Sequence, residues 1–476
     1  MKKISILMFA FMLSAGLVVA QSNNSNVESV GNGNTATVTQ TGDNLNDSDV
    51  KQTGNTNSAF ATQLGATNSN VQTQTGDNNG ALVNQEGNFN ASTETQTGNG
   101  NIAITGQLGF GNGSDVNQLG DGNGSLVGQQ GQDNYSDVNQ DGNGNGAAVG
   151  QAGVLDYSEV EQVGDGNLSA TGQLGSFNDS YVGQNGDGNI SAVGQDGEEN
   201  YSDVTQNGND NVVFYVGQDG NRNEAYVDQD GNGNFANANQ FGDDNVAAAL
   251  QYGDENASDI VQNGNENLAI SYQEGANNDS DVDQDGNGNV VFYVGQVGDD
   301  NSSIIDQEGD ANFAETYQIG NENNSSIDQE GTLNAASVTQ TGNNNNSVGG
   351  SAFWGVDQFG NENSATVVQT GDRNNSKIGQ GDDNPGNVGG AGTTAASFNV
   401  AEVTQTGDDN VSQVRQWSDS NDAFVTQSGN DNFSRVQQQG GTMNSAIVNQ
   451  NNNNNSSKVK QNGASNSAVI TQTQQQ

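Results

Sequence analysis

A glutamine recurs every eleven residues along almost the whole chain, and this period limits what the chain can fold into. The glutamines run from Gln40 to Gln472, and their spacing is constant between Gln52 and Gln206. A glycine usually lies two positions after the glutamine and an asparagine five positions after, so that the unit reads Gln-x-Gly-x-x-Asn-x-Ala/Ser-x-Val-x-Gln. A short fixed period of this kind indicates a stack of structural repeats.

The composition taken alone would indicate a disordered chain. Of the 476 residues only 30% are hydrophobic, and the formal net charge is -48. Such a chain ordinarily buries too little apolar surface to offset its conformational entropy. A disordered polar chain has no need to keep Gln, Gly and Asn in register, so the period favours an ordered repeat over a low-complexity tract.

The residue types that are missing exclude several functions. The chain has no cysteine and no histidine, which removes disulfides, the usual metal ligands and the commonest general base. Its negative charge opposes binding to nucleic acid. Paired carboxylates such as Asp243 and Asp244 lie at predicted turns and change between repeats, unlike the fixed pair of a glycosidase. We therefore predict a protein that is not an enzyme and uses no cofactor.

The N-terminal twenty residues differ from the rest of the chain. Lys2 and Lys3 precede an apolar run that ends in the small residues before Gln21, a pattern typical of a secretory signal peptide. We predict an exported protein with three parts: a signal peptide at 1–20, a polar leader at 21–33, and a repeat solenoid at 34–476 with loop insertions near 341–351 and 381–398.

Each eleven-residue unit is predicted to form one strand and one tight turn. Asn145, Ala147, Val149 and Gln151 lie two apart, so they share one face of an extended strand. The glycine that follows each glutamine suits a bend with positive φ. The sextets at 212–217 and 290–295 are identical and lie inside twelve-residue units, and the extra residue predicts a bulge.

A second period of 22 residues shows how the strands combine. Ser136-x-Val138 recurs as Ser158-x-Val160, and glycines precede the glutamine at the same interval, as at Gly150. Two eleven-residue units therefore form one structural repeat of strand, turn and strand, which we call a rung. The predicted fold is an all-β solenoid of stacked rungs with two parallel sheets, in which like residues lie above like.

Stacking explains why the inner face carries amides. A buried amide is costly without a partner, but copies stacked about 4.8 Å apart can form continuous hydrogen-bond ladders. The amides that we assign to an assembly ladder are Gln129, Asn134, Gln140, Asn145, Gln151, Gln162, Asn167, Gln173, Asn178, Gln184, Asn189 and Gln195. The turn glycines of the same rungs are Gly131, Gly142, Gly153, Gly164, Gly175 and Gly186.

This unit resembles the curlin repeat of bacterial curli subunits. The resemblance rests on Gln140-x-Gly142-x-x-Asn145-x-Ala147-x-x-x-Gln151 and on its copies from Gln162 to Gln173 and from Gln184 to Gln195. The intervening elevens, with Asn134-x-Ser136-x-Val138-x-Gln140, are similar to the second strand of that repeat. The resemblance implies a secreted amyloid subunit that crosses a dedicated outer-membrane pore and polymerises on a nucleator subunit. It implies biofilm fibres at the bacterial cell surface, in which the main partner is another copy of the chain.

Two functions remain open from the residues. Unpaired strand edges at both ends of the solenoid would template another chain and allow self-assembly. Alternatively, a monomeric solenoid would act as an adhesin whose acidic outer face binds a carbohydrate, a surface or calcium.

Two segments resemble the first half of a calcium-binding loop, Asp228-x-Asp230-x-Asn232 and Asp283-x-Asp285-x-Asn287. The glutamate needed at the twelfth position is absent from both. Both segments are also ordinary copies of the repeat, so we expect weak calcium binding at most.

Overall fold

The computed structural model describes residues 22–42, 45–347, 355–381 and 395–473. These residues form forty strands and no helix. The chain passes alternately between two parallel sheets, and each strand pairs with the strand one rung away. The predicted all-β solenoid of two parallel sheets with a 22-residue rung is therefore confirmed. The predicted signal peptide at 1–20 lies outside the described residues.

Sheet 1 contains the strands β1 (Asn24–Val30), β3 (Asp47–Thr53), β5 (Ser69–Thr75), β7 (Ala91–Thr97), β9 (Gly113–Leu119), β11 (Tyr135–Asp141), β13 (Tyr157–Val163), β15 (Asp179–Asn185), β17 (Tyr201–Asn207), β19 (Glu224–Asp230), β21 (Val246–Tyr252), β23 (Leu268–Glu274), β25 (Val290–Val297), β27 (Phe313–Ile319), β29 (Ala335–Thr341), β32 (Ser364–Thr370), β34 (Val400–Thr406), β36 (Asp422–Ser428), β38 (Ser445–Asn451) and β40 (Ser467–Gln472).

Sheet 2 contains the strands β2 (Thr35–Thr41), β4 (Ser58–Ala66), β6 (Gly80–Asn88), β8 (Ile102–Phe110), β10 (Gly124–Gln132), β12 (Gly146–Val154), β14 (Leu168–Ser176), β16 (Ile190–Glu198), β18 (Val212–Asp219), β20 (Phe235–Phe241), β22 (Ala257–Asn263), β24 (Asp279–Asp285), β26 (Ser302–Asp310), β28 (Asn324–Thr332), β30 (Asn346–Ser347), β31 (Val356–Phe359), β33 (Asn375–Gln380), β35 (Val411–Gln416), β37 (Phe433–Gln439) and β39 (Ser456–Asn462).

The core is the thin layer between the two sheets. In a central strand such as β11, every second residue is buried and the others face solvent. The register is in phase, so that Val138 lies beside Val160 and Gln140 beside Gln162. The largest buried apolar side chains are four isoleucines, Ile260, Ile305, Ile327 and Ile378. Small residues let the sheets approach closely, and burying a valine contributes roughly 1.5–3 kcal/mol.

The first strand begins at Asn24, whereas we expected the first full strand at residue 34. Strand β1 pairs with β3 along its whole length. The sequence signal was present, since Asn23, Ser25, Val27 and Gly31 occupy the usual places of the repeat and only the glutamine is replaced, by Ser29. The repeated glutamine is therefore not a required mark of a strand in this chain.

Two irregularities lie where the extra residues predicted them. The register of β18 against β20 shifts between Val213 and Tyr215, and that of β25 against β27 shifts between Val291 and Tyr293. The predicted bulges are therefore confirmed. Each adds one residue to a strand without changing the order of the rungs.

The insertions leave the stacking order intact. The turn at Gly342 is ordinary, and the extra residues of the first insertion interrupt a strand, because β30 and β31 both pair with β28. The second insertion separates β33 from β34, and Ala396 rejoins the stack through a bond from its N–H to the carbonyl of Phe359 (2.9 Å). Residues 348–354 and 382–394 lie outside the described residues.

Candidate functional site: amide ladders and the two ends of the solenoid

Most of the repeating glutamines in the central rungs donate both of their amide hydrogens, as Gln140 shows. Gln140 donates one Nε2 hydrogen to Gln162 Oε1 (2.8 Å) and the other to the carbonyl of Gly124 in sheet 2 (3.1 Å). Its own Oε1 accepts from Gln118 Nε2 (2.8 Å). The buried amide therefore ties its rung to the rungs on both sides and also joins the two sheets. Satisfied amides of this kind are retained at little cost in the core, since the penalty of a buried polar group falls on unpaired ones.

The glutamines form two unbroken ladders, one in each sheet. The sheet 2 ladder runs from Gln40 to Gln461, and the sheet 1 ladder from Gln52 to Gln472. The ladders also cross the insertions, because Gln329 bonds Gln358 (2.7 Å) and Gln369 bonds Gln405 (2.9 Å). The predicted glutamines Gln129, Gln140, Gln151, Gln162, Gln173, Gln184 and Gln195 all lie in these ladders.

The asparagines do not form the amide-to-amide ladder that we expected in these rungs. Asn145 Nδ2 donates to the turn carbonyl of Gly164 (2.8 Å), while Asn123 Oδ1 accepts the backbone N–H of Asn145 (2.9 Å). The side chain is one methylene shorter than that of glutamine, so it reaches the backbone of the adjacent turn. The same donation to a turn carbonyl is made by Asn134, Asn167, Asn178 and Asn189. The asparagines therefore hold the turns in register.

The turn glycines are packed directly against one another along the axis. Gly131, Gly142, Gly164, Gly175 and Gly186 have φ between 112° and 135°. A Cβ atom built on Gly142 would lie 1.9 Å from the carbonyl oxygen of Gly164. Gly153 lies outside the positive-φ region, in the rung where Asp156 replaces the asparagine, but it has the same close approach, to Gly175. Glycine is therefore required by the contact between rungs as well as by its φ.

A buried glutamate in the core was not recognised from the sequence. Glu94 occupies the place of the valine, beside Gln72 and Val116 in sheet 1. Gln72 Nε2 donates to its Oε2 (3.2 Å), and hydrogen bonding from Thr105 and Gln72 lowers its pKa by less than burial raises it. Burial raises the pKa of Glu94 to about 8. The signal was available, because glutamate replaces an apolar residue between Ser92 and Gln96.

The outer face of sheet 1 concentrates negative charge. Asp137 lies beside Asp115 and Glu159 in the neighbouring strands. Partial burial and these like charges raise the pKa of Asp137 to about 6. Within the described residues no group of three or more acidic side chains is placed to hold a metal ion. Asp283 and Asp285 lie in strand β24, in the place that the repeat gives them in the other rungs.

The two ends of the described solenoid are open. Strands β1 and β2 form one end, β39 and β40 form the other, and each of the four pairs on one side only. Val27 in the first rung is 49% exposed, whereas Val50 in the next rung of the same sheet is 0% exposed. Solenoids that remain soluble monomers ordinarily cover such ends with polar capping repeats.

The ladders give the two ends opposite character. Every glutamine donates toward the C-terminal end, so Gln40 Oε1 accepts no bond from a described residue. Gln461 Nε2 and Gln472 Nε2 each donate only to a backbone carbonyl. One end therefore offers an amide oxygen, and the other offers amide hydrogens.

None of the described residues forms a helix long and apolar enough to cross a membrane.

A comparison with known families identifies the repeat. The family model of the curlin associated repeat matches residues 215–242, 253–286, 275–309, 298–331 and 309–342. These matches lie between β18 and β29 and leave only β21 unmatched among the strands of that range. No curated protein matches the chain.

Proposed function

We propose that this chain, which matches the curlin associated repeat between residues 215 and 342, is a secreted subunit that polymerises end to end into curli-type amyloid fibres. The proposal includes a bacterial cell-surface location and a role of the fibres in biofilm matrix and adhesion. It also includes a nucleator subunit and an outer-membrane pore as partners. The observation that carries the proposal is the pair of complementary open ends on one continuous ladder.

The joint between two copies follows from the topology. Strand β39 of one copy meets β2 of the next copy in sheet 2, and β40 meets β1 in sheet 1. Gln461 Nε2 then donates to Gln40 Oε1 of the next copy, and the sheet 2 ladder continues. In sheet 1, Ser29 takes the place of the glutamine, since it aligns with Gln52. Because every ladder bond points the same way, the joint closes only head to tail, and the fibre has a polarity.

The backbone groups that make this joint can be assigned. In a parallel pair, alternate residues bond to the neighbour on one side. Asn24 N–H donates to the carbonyl of Asn46 (2.8 Å), and the carbonyl of Val30 accepts from Gly54 (2.9 Å). The N–H of Val27 therefore points to the open end. Ser445 N–H donates to the carbonyl of Asn466 (2.8 Å), which in the same way directs the N–H of Val469 to the opposite open end.

Proline at either open position should block one end and spare the fold. In Val27→Pro and Val469→Pro, the missing N–H is one that no described strand uses, and proline is tolerated on such edges. Each variant alone should remain monomeric, because each polymer joint needs both ends. An equimolar mixture should give a dimer joined through the two unblocked ends and should stop there. Analytical ultracentrifugation of the full chain and thioflavin-T fluorescence measure this outcome.

Val27→Ala and Val469→Ala are the matched controls, because they shorten the same side chains and keep the N–H. Both should polymerise. Polymerisation of the proline variants at the rate of the unaltered chain would contradict the proposal. If the unaltered chain itself persists as single rods of one length, the monomeric adhesin is the better account.

A further inference from the structure

Three pairs of tyrosines lie in ring contact on the outer face of sheet 1. The pairs are Tyr135 with Tyr157, Tyr201 with Tyr226, and Tyr252 with Tyr272. Their ring centroids lie 5.7, 5.6 and 5.6 Å apart, in that order. The two members of each pair lie in neighbouring strands of the sheet, so each pair connects consecutive rungs.

All six phenols of these pairs donate a hydrogen bond to a carboxylate. Tyr135 bonds to Asp115 (2.6 Å), and Tyr157 bonds to Glu159 (3.0 Å). In the other two pairs, the acceptors for Tyr201, Tyr226, Tyr252 and Tyr272 are Asp203 (3.5 Å), Glu224 (3.0 Å), Asp228 (3.1 Å) and Glu274 (3.0 Å), respectively. Partial burial and the bonded Glu224 raise the pKa of Tyr226 to about 12, so this phenol keeps its proton at neutral pH.

Packing alone does not require tyrosine at these positions. On sheet 2, a ring pair between neighbouring strands is made by two phenylalanines, Phe214 and Phe235 (6.2 Å). In strands β11 to β23 of sheet 1, by contrast, every aromatic residue is a tyrosine. Phenols that lie in contact in pairs, each with its own proton acceptor, are placed for a reaction of the hydroxyl groups. The chain has no cysteine, so a disulfide cannot join its rungs.

We propose that these pairs are sites of oxidative cross-linking, at which an external haem peroxidase and hydrogen peroxide join neighbouring rungs as dityrosine. Each phenol gives one electron to the oxidised haem and its proton to the bonded carboxylate, which leaves a neutral phenoxyl radical. The two radicals of a pair then form one bond between ring carbons that neighbour the hydroxyl-bearing carbons. Each of these ring carbons releases its hydrogen as a proton, and each phenol oxygen takes up a proton. In total the pair loses two electrons and two protons, and one hydrogen peroxide takes them up to give two water molecules.

The structure supplies both proximity and a proton acceptor for this reaction. Two radicals held in contact on one sheet couple without first having to diffuse together, which raises the rate of coupling. A carboxylate that already accepts the phenol hydrogen bond receives the proton as the electron leaves, so no charged phenol radical cation has to form. The product links consecutive rungs of one chain and, like a disulfide, limits the freedom of the unfolded state.

The other tyrosines of sheet 1 separate the two requirements. Tyr181 donates to Glu161 (3.4 Å), but no second aromatic ring pairs with it among the described residues. Tyr293 and Tyr317 have ring centroids 6.2 Å apart, but neither phenol bonds to a carboxylate among the described residues. We expect links at Tyr181, and between Tyr293 and Tyr317, to be roughly tenfold or more rarer than links within the three pairs.

Treatment of the folded full chain with a haem peroxidase and hydrogen peroxide, followed by proteolysis and mass spectrometry, maps the links. Each of the three pairs should give a linked peptide that is two hydrogen atoms lighter than its two parts. Tyr226→Phe keeps the ring and should abolish the link to Tyr201, whereas the matched control Tyr181→Phe should leave all three links. Glu224→Gln keeps the shape of the side chain and removes the proton acceptor, so it should slow the link between Tyr201 and Tyr226 by roughly tenfold or more.

Two further comparisons decide the outcome. Single rods and fibres should give the same map, because every link lies within one chain, so the result does not depend on end-to-end growth. The same yields from the chain unfolded in urea, or links at Tyr181 as frequent as links within the pairs, would overturn the proposal. An unchanged rate in Glu224→Gln would overturn the role of the carboxylates as proton acceptors.

Discussion

Gly142→Val is expected to destabilise the central rungs by roughly 4 kcal/mol or more, at the upper end of what single substitutions cause. The new Cβ atom would lie 1.9 Å from the carbonyl oxygen of Gly164, which is backbone and is held by the Asn145 amide. The residue would also need a φ of 135°, which side chains other than glycine rarely adopt. Hydrogen exchange of the amides in the adjacent rungs measures the loss.

The matched control is Gly144→Asn, two residues further along the same turn. Gly144 has a φ of 69°, and a Cβ atom there has no neighbour within 4 Å. Other rungs place Asp133 and Leu155 at this position with the same left-handed backbone. We expect a change within about 0.5 kcal/mol, as for a surface substitution. Equal protection losses in both variants would show that the contact between glycines does not limit the stacking.

Glu94→Gln is expected to stabilise the solenoid at alkaline pH and to flatten its dependence on pH. The pKa of Glu94 is raised from 4.5 to about 8, so folding favours the protonated carboxyl. Its stability contribution is fully present below pH 4.5, falls as the pH rises, and is lost above about pH 8. Because one pKa unit corresponds to about 1.4 kcal/mol, the gain from the substitution above pH 8 is on the order of a few kcal/mol.

Urea unfolding at a series of pH values between 4 and 9 measures this effect. The control is Glu86→Gln, which removes an exposed glutamate on the outer face of the neighbouring strand β6. That variant should keep the pH dependence of the unaltered chain. If the slope between pH 4.5 and 8 is the same in Glu94→Gln as in Glu86→Gln, the buried carboxyl is not its source.

The sequence predicted the fold because register is visible in a one-dimensional repeat. The alternation from Asn145 to Gln151 assigned the inner face, and the interval from Ser136 to Ser158 assigned the rung. The inner face follows from the two-residue period of a strand, and the rung follows from the stacking of identical residues on one another. Neither assignment requires knowledge of distant contacts.

The sequence does not determine which hydrogen-bond partners the side-chain amides find or in which direction they donate. An asparagine amide meets only a turn carbonyl at Asn145, but meets both a turn carbonyl and the amide of a neighbouring rung at Asn323, and the sequence does not distinguish the two. The direction of the ladder is seen only in the structure, where Gln140 Nε2 donates to Gln162 Oε1. The position of a glutamine in the sequence does not show to which neighbouring rung its amide donates.

The structure of the joint between two subunits tests most directly the claim that the chain polymerises end to end through its open strands. Cryo-electron microscopy of fibres grown from the full chain should show rungs about 4.8 Å apart that continue through each joint without a break. Strand β39 should lie against β2 of the next subunit, with Gln461 Nε2 bonded to Gln40 Oε1, and every subunit should point in the same direction. Fibres in which the rungs of β1 and β40 stay unpaired, or in which subunits alternate in direction, would contradict it.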